Sequence, residues 1–378
     1  MATIMFAEDE YSQAMVDFAA ALTARGHRTV RLLADSERDV TAAGSRRRWE
    51  GLASRWVPAA IDPAGPLTPA GWDTLTTEAP IDLQAMEPIA VWLSETGDDT
   101  RLGFRKAANV PDRDVIDKLA LTRHLAAAGF AVPATWDDVG DLPTRADVPL
   151  LFKLRDSGGG KGVHRCDSAA QARLWAEHYG MDAPYLIQEF YPGPSQVSAG
   201  VAKDGEVVQM MTYANRVDPA KPFAFGYGFT VTADRALARY TAGVLECLGI
   251  TGPFAIDAVR GPDHEVRLVD LNIRIWGSWT GCQAAGLDVL GSYEYSLGLG
   301  PRPAPPTLRP GSYQPLLRTP PLAVSSPSGR ARWLARELRQ VRDWSRWMGR
   351  PWAALATRRA VGWAVKGKPL STHPPGTD

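Results

Sequence analysis

The segment Leu150-Leu151-Phe152-Lys153-Leu154-Arg155-Asp156-Ser157-Gly158-Gly159-Gly160-Lys161-Gly162-Val163 decides how this chain is read. A short apolar run delivers a lysine and opens into a glycine loop that holds a second lysine. Consecutive glycines let backbone N–H groups turn toward a polyphosphate, and lysines offset its charge. The spacing GxxxxGK[ST] is absent, so this is not a Walker A loop. A plain glycine-rich hairpin turn is the alternative. Lys153 inside an apolar strand weighs against it, because a charge placed there needs a partner.

Three other segments extend the pattern. Upstream, Asp117-Lys118 opens a helix that leads to Gly129-Phe130-Ala131-Val132-Pro133. Downstream, Leu186-Ile187-Gln188-Glu189-Phe190 runs into Pro192-Gly193. Further on, Asp257 precedes Val269-Asp270-Leu271-Asn272-Ile273-Arg274-Ile275-Trp276-Gly277-Ser278. Asp270 and Asn272 alternate along a predicted strand, so both side chains face one side, and Arg274 follows at the next repeat. Hard oxygen ligands beside a guanidinium suit Mg²⁺ and a transferring phosphoryl group. The bland alternative is an exposed polar strand face. Asp257 lies across the turn Gly261-Pro262-Asp263-His264, so its strand can pair with that of Asp270 and bring both carboxylates to one metal site.

Around these segments the periodicity alternates between strand and helix. Residues 3–6 read as a buried strand, 10–25 as a helix stopped by Gly26, and 28–33 as a second strand. That βαβ opening implies a parallel sheet. Its first turn, Ala7-Glu8-Asp9-Glu10, lacks GxGxxG, and its acids would repel a pyrophosphate. Glu8 and Asp9 read as acids at a helix N-terminus or as contacts to a cationic substrate. Residues 58–80 read as loops and 81–95 as a short helix. A helix is expected from Asp114 through Leu125. Further strands are expected at 149–154, 185–190, 197–202, 206–213, 254–260 and 265–271, with helices at 168–179 and 232–248. Residues 301–328 hold nine prolines and read as a linker.

In this order and spacing the four segments resemble the ATP-grasp superfamily. They are most similar to its carboxylate–amine ligases, whose catalytic module is shared with carbamoyl phosphate synthetase and biotin carboxylase. The resemblance covers residues 1–300 and is specific in 114–163, 185–197 and 254–281. It implies an α/β protein whose catalytic module is α+β. The expected order is an N-terminal Rossmann-like α/β domain (1–112), an ATP-grasp module (113–300), a Pro-rich linker (301–328) and a basic helical C-terminal extension (329–378).

The resemblance also implies roles. Lys118 and Lys153 would contact ATP phosphates from either side. The loop of Ser157, Gly158, Gly159, Gly160, Lys161, Gly162 and Val163 would fold over the β- and γ-phosphates. Gln188, Glu189 and Phe190 would form the hinge at the adenine edge. Gln196 stands where the family often places a ribose-binding glutamate. Asp257, Asp270 and Asn272 match positions that hold two Mg²⁺ ions, with Mn²⁺ as a substitute, and Arg274 would stabilise the phosphorylated intermediate. Asp270 replaces the usual glutamate and Ile273 the usual proline. Arg216, ahead of a glycine- and aromatic-rich stretch, is the candidate for the substrate carboxylate, with a solvated loop arginine as its alternative.

The activity so implied is ATP-dependent, ADP-forming ligation of a small-molecule carboxylate to an amine through an acyl phosphate. An ATP-binding pseudoenzyme or regulatory protein stands against it, resting on the departures at Gln196 and Asp270. A ligase with a thiol, hydroxyl or bicarbonate acceptor is a further alternative. A biotin-type lysine motif and a glutaminase triad are absent. Homodimers are common among such ligases.

Composition narrows the setting. Cys166, Cys247 and Cys282 form no CxxC pair, which argues against a disulfide scaffold or zinc site and fits a reducing cytoplasm. No run of about 18 apolar residues predicts a transmembrane span, and the acidic start argues against a secretory signal. The zero net charge hides a basic tail: residues 329–378 carry +8. Leu334, Leu338, Val341, Trp344 and Met348 recur there at helical spacing among arginines, and five of the 13 tryptophans lie in 333–363. This pattern fits a helix at the inner membrane face or against a lipid-linked substrate, and equally a helix docked on the acidic body or a partner. The acidic body disfavours nucleic acid.

Overall fold

A computed structural model describes residues 1–8, 12–34, 55–62, 66–142, 149–155, 160, 162–181, 183–192, 195–216, 223, 228–261 and 263–313, with isolated residues 331, 334, 335 and 338. Ser157, Gly158, Gly159 and Lys161 lie outside the described residues, as does nearly all of the basic tail. The chain divides into two compact units, Met1–Phe104 with Arg274–Asp378, and Arg105–Ile273. The first boundary thus falls ahead of residue 112, and the segment from Arg274 groups with the N-terminal unit rather than with the module expected to reach 300.

In the first unit the opening follows the βαβ expectation. Strand β1 (Thr3–Glu8), helix α1 (Gln13–Ala24) and strand β2 (Arg28–Ala34) come first. Ser12 caps α1 through its side chain, which accepts from the Met15 N–H. Glu8 is fully buried and accepts from the Ser12 N–H and from Arg31, so its charge is matched inside the unit. Strand β3 (Arg55–Ile61) and helix α2 (Pro69–Glu78) replace the loops expected over 58–80. Pro69 and Gly71 are loop residues by local propensity alone. Thr68 caps α2 and Pro69 sits in its first turn, where a missing N–H costs nothing. Residues 81–95 are likewise not one helix: strand β4 (Asp82–Ala85) precedes helix α3 (Glu87–Thr96). Pairing with β1 extends Asp82–Ala85, and Pro88 fits the first turn of α3. A short helix α4 (Asp98–Arg101) follows. The sheet runs β3-β2-β1-β4, all parallel.

The second unit opens with helices α5 (Asp112–Ile116) and α6 (Lys118–Ala127). The single helix expected from Asp114 breaks at Asp117, whose carboxylate caps α6 by accepting from the Leu119 and Ala120 N–H groups. Then come β5 (Thr135–Trp136), β6 (Leu150–Leu154), β7 (Val163–Cys166), helix α7 (Ala169–Tyr179) and β8 (Tyr185–Glu189). They form an antiparallel sheet in the order β5-β8-β6-β7, with α7 packed on β6 and β7. Strands β9 (Gln196–Lys203), β10 (Glu206–Arg216), β11 (Gly228–Thr232), β12 (Gly252–Arg260) and β13 (Val266–Asn272) lie in the order β13-β12-β9-β10-β11 within a second sheet. Helix α8 (Arg235–Leu248) sets Leu237, Thr241, Val244, Leu245 and Leu248 on one buried face against it. Gly200 makes the close approach of β9 to β10 possible, since a Cβ there would stand 2.0 Å from the Gln209 carbonyl oxygen.

Helices Trp279–Ala284 and Val289–Ser296 return to the first unit. Trp279 donates to the Ala14 carbonyl, and Phe18 packs edge-on against Trp279 and Tyr293 at 5.1 and 5.0 Å between centroids. The three cysteines are free thiols. No helix among the described residues is long and apolar enough to cross a membrane.

Candidate functional site

Strand alternation divides the β6–β8 sheet into two faces. Leu150, Phe152, Tyr185 and Ile187 join the apolar cluster beneath α7. Leu151, Lys153, Leu186 and Gln188 therefore share the other face. Lys153 is only 6% exposed, and its Nζ donates to Gln188 Oε1 at 2.6 Å. Gln188 Nε2 in turn donates to Thr135 Oγ1 at 3.1 Å, which fixes which way the amide points. Burial pulls the Lys153 ammonium down to about 8, Asp270 opposes, Lys118 adds to the fall and Asp257 opposes again. Three charged residues from three other elements are thereby within electrostatic reach of Lys153.

Lys118 occupies the first turn of α6, the positive end of the helix dipole, where a cation is disfavoured unless an anion is near. Its Nζ donates to the Arg155 carbonyl at 3.2 Å, while the Arg155 guanidinium pairs with Asp117, Nε to Oδ1 at 3.0 Å. This pair ties the cap of α6 to the residue where the glycine loop begins. That loop is the turn between β6 and β7, which pair antiparallel with Lys153 opposite Val163. Gly162 closes its base at φ 67°, with its carbonyl accepting from the Leu154 N–H at 3.1 Å. A Cβ there would meet Leu154 Cδ1 at 2.6 Å, so glycine is required.

The candidate oxygen ligands come from the other sheet. Asp257 stands opposite Asp270, and Ala255 opposite Asn272, so Asp257, Asp270 and Asn272 share one face of β12 and β13. Burial first, and the Asp270 charge second, push the Asp257 carboxyl up to about 7, against a hydrogen bond from Ser195 and the charge of Lys153. Ser195 Oγ donates to Asp257 Oδ1 at 3.1 Å, and Asn215 Nδ2 approaches the same oxygen at 3.5 Å.

Neither Ser195 nor Asn215 was among the residues singled out from sequence. Register is what brings them in. Val197 pairs with both Asp257 and Tyr213, and the Asn215 N–H donates to the Ser195 carbonyl. Ser195, Val197, Tyr213 and Asn215 thus lie on the carboxylate face. Gln196 and Arg216 fall on the opposite face, with Ala258 and Thr212, where α8 packs. Gln196 therefore starts β9 on the face away from the carboxylates, and Arg216 ends β10 opposite Gly228.

Glu189 is similarly turned away. It pairs with Leu150 on the α7 side of its sheet, and the Tyr191 hydroxyl donates to its carboxylate. Burial and then that bond push the Tyr191 hydroxyl up to about 12. Two guanidiniums brace the residues that follow: Arg165 lies 5.2 Å over the Phe190 ring and Arg267 5.0 Å over the Tyr191 ring. Arg274 belongs to the first unit, where Nε donates to Glu87 Oε1 at 2.9 Å. Nearby, Gln84 Oε1 accepts from the Ile275 N–H at 3.1 Å.

The donor set fits magnesium in a particular way. Among the described residues no group of three or more His, Cys, Asp or Glu side chains can hold a metal ion. Two facing carboxylates and one amide oxygen are what remain. Mg²⁺ is commonly bound by one or two carboxylates together with substrate phosphates, not by an all-protein cage. The mutual repulsion of Asp257 and Asp270 is what such a cation relieves.

A family model described as the ATP-grasp domain matches residues 115–278. No curated protein matches the chain at a significant level. Among solved structures the fold is similar to N5-carboxyaminoimidazole synthetase from Staphylococcus aureus in complex with ADP (TM-score 0.63, 14% identity, 81% of this chain and 80% of that one). It is also similar to L-amino acid ligase from Bacillus licheniformis (0.57, 14%, 82% and 78%). A third is biotin carboxylase from Campylobacter jejuni in its β,γ-ATP complex (0.57, 12%, 80% and 72%). The glycine hairpin, the two lysines and the facing carboxylates all lie inside the segment, residues 115–278, that matches the ATP-grasp domain.

Proposed function

We propose that this protein is an ADP-forming ligase that joins a carboxylate to an amine through an acyl phosphate. The observation that carries the reading is the pairing of Asp257 opposite Asp270, with the buried Lys153 within electrostatic reach of both and of Lys118. A substrate carboxylate oxygen attacks the γ-phosphorus, the bond to the bridging oxygen breaks and ADP leaves. The amine nitrogen then attacks the acyl carbon, phosphate leaves, and the nitrogen gives up a proton to form the amide. Lys153 lies at low exposure, where its charge acts on phosphate oxygens with little screening by water. A bound polyanion raises the affinity of that lysine for its proton, so it stays charged when nucleotide is present. Asp257, Asp270 and Asn272 would hold Mg²⁺, which supplies further neutralisation of the phosphates when bound. The loop from Ser157 to Val163 is assigned to covering the nucleotide and keeping water from the acyl phosphate.

The named activities of the similar structures support a ligase without naming substrates. Two of them are a carboxyaminoimidazole synthetase and a biotin carboxylase, so bicarbonate belongs in the acid panel beside amino acids. The test is ADP release from Mg-ATP across that panel, with and without amines. Dependence on one acid and one acceptor is expected, with loss in Lys153→Met and Asn272→Ala. ATP binding without ADP release in any mixture would overturn the ligase in favour of a nucleotide-binding regulator.

A further inference from the structure

Asp257 is held differently from three other acids of the second unit. Asp117, Asp234 and Asp263 are each paired with an arginine. Asp257 instead receives two neutral donors, Ser195 Oγ at 3.1 Å and Asn215 Nδ2 at 3.5 Å, and both converge on the single oxygen Oδ1. Neutral donors stabilise an anion without cancelling its charge, whereas an arginine there would compete with any cation. Lys153 likewise donates to a neutral group, the Gln188 oxygen at 2.6 Å. The two donors are themselves fixed to one another by the Asn215 N–H bond to the Ser195 carbonyl at 3.1 Å.

We infer that Ser195 and Asn215 are positioning residues that clamp Oδ1 of Asp257 and so orient its carboxylate toward a divalent cation. The inference rests on the reading of Asp257 as a metal ligand. Partners that orient a ligating carboxylate are worth about 10- to 100-fold in metal affinity when removed. Sequence alone points to neighbours of both residues, Gln196 and Arg216, and only the register of β9 against β10 and β12 turns Ser195 and Asn215 onto this face.

The test is Mn²⁺ titration of the full chain with ADP present, followed by the electron paramagnetic resonance signal of free Mn²⁺. Ser195→Ala and Asn215→Ala are each expected to weaken Mn²⁺ binding about 10-fold. Ser195→Thr keeps the hydroxyl and is expected to restore it, and ADP affinity in excess chelator should stay unchanged in all three. Asp257→Asn separates the two layers of the argument. If it abolishes Mn²⁺ binding while Ser195→Ala and Asn215→Ala leave affinity unchanged, the positioning role is overturned and the metal site stands. If Asp257→Asn itself leaves Mn²⁺ binding unchanged, the assignment of the metal site fails, and the clamp with it. Equal loss in Ser195→Thr and Ser195→Ala, with weakened ADP binding in chelator, would mark a merely structural contact and overturn the inference.

Discussion

Replacing Asp257 by asparagine should destroy the activity and stabilise the metal-free protein at the same time. The carboxyl is displaced from its usual 3.8 to about 7, chiefly by burial and then by Asp270. At about 1.4 kcal/mol per decade, holding it ionised in the folded state costs roughly 4 kcal/mol. Asp257 keeps partial access to solvent, which takes up some of this, and we expect a gain of about 2 kcal/mol in Asp257→Asn. The sign follows from proton binding. Between 3.8 and about 7 the folded state retains a proton that the unfolded chain has lost, so stability falls as pH rises through that window. The asparagine variant lacks this fall, and its advantage should be small near pH 3.5 and full at pH 8. Asparagine still offers an oxygen to Ser195, so the geometry is conserved. Urea unfolding in chelator at both pH values reads the difference. Saturating Mg-ATP should reverse the order, because only the wild type gains from ligand. A variant less stable than wild type at pH 8, or an advantage independent of pH, would refute the reasoning.

Two further outcomes follow from packing. Phe152 is fully buried and stacks on Tyr179 and Tyr185 at 5.7 and 5.2 Å, so Phe152→Ala should cost about 3–5 kcal/mol in urea unfolding; a loss near zero would mean that the α7 cluster does not hold this sheet. Gly162→Ala forces a Cβ into a left-handed backbone, 2.6 Å from Leu154, at about 1–2 kcal/mol or more. Its ATP affinity by calorimetry should fall several-fold, and unchanged affinity would separate the loop base from nucleotide binding.

Much of the secondary structure was legible because it rests on local chemistry. Ser12, Ser168 and Asp234 cap their helices as their residue types allow, and the strands around Lys153 and Asp257 lie within a residue or two of where apolar runs placed them. The differences between local propensity and structure share one cause. Thr68-Pro69 reads as a loop in isolation but starts a helix, and Asp82–Ala85 is extended only because β1 offers a partner. Likewise β7 and β11 are short strands whose identity depends on β6 and β10 beside them.

The sequence by itself determined which chemical groups are present and in what order: two lysines around a glycine loop, then Asp257, Asp270 and Asn272 on strands able to pair. Their residue types and local spacing suffice for that, because alternation along one strand and a turn between two are short-range properties. Only the tertiary structure decided which neighbour of each pair faces the carboxylates, Ser195 over Gln196 and Asn215 over Arg216. It also placed Arg274 on Glu87 in the first unit. The physical reason is that register is set by packing across the sheet, and a slip of one residue sends every side chain of a strand to the other face.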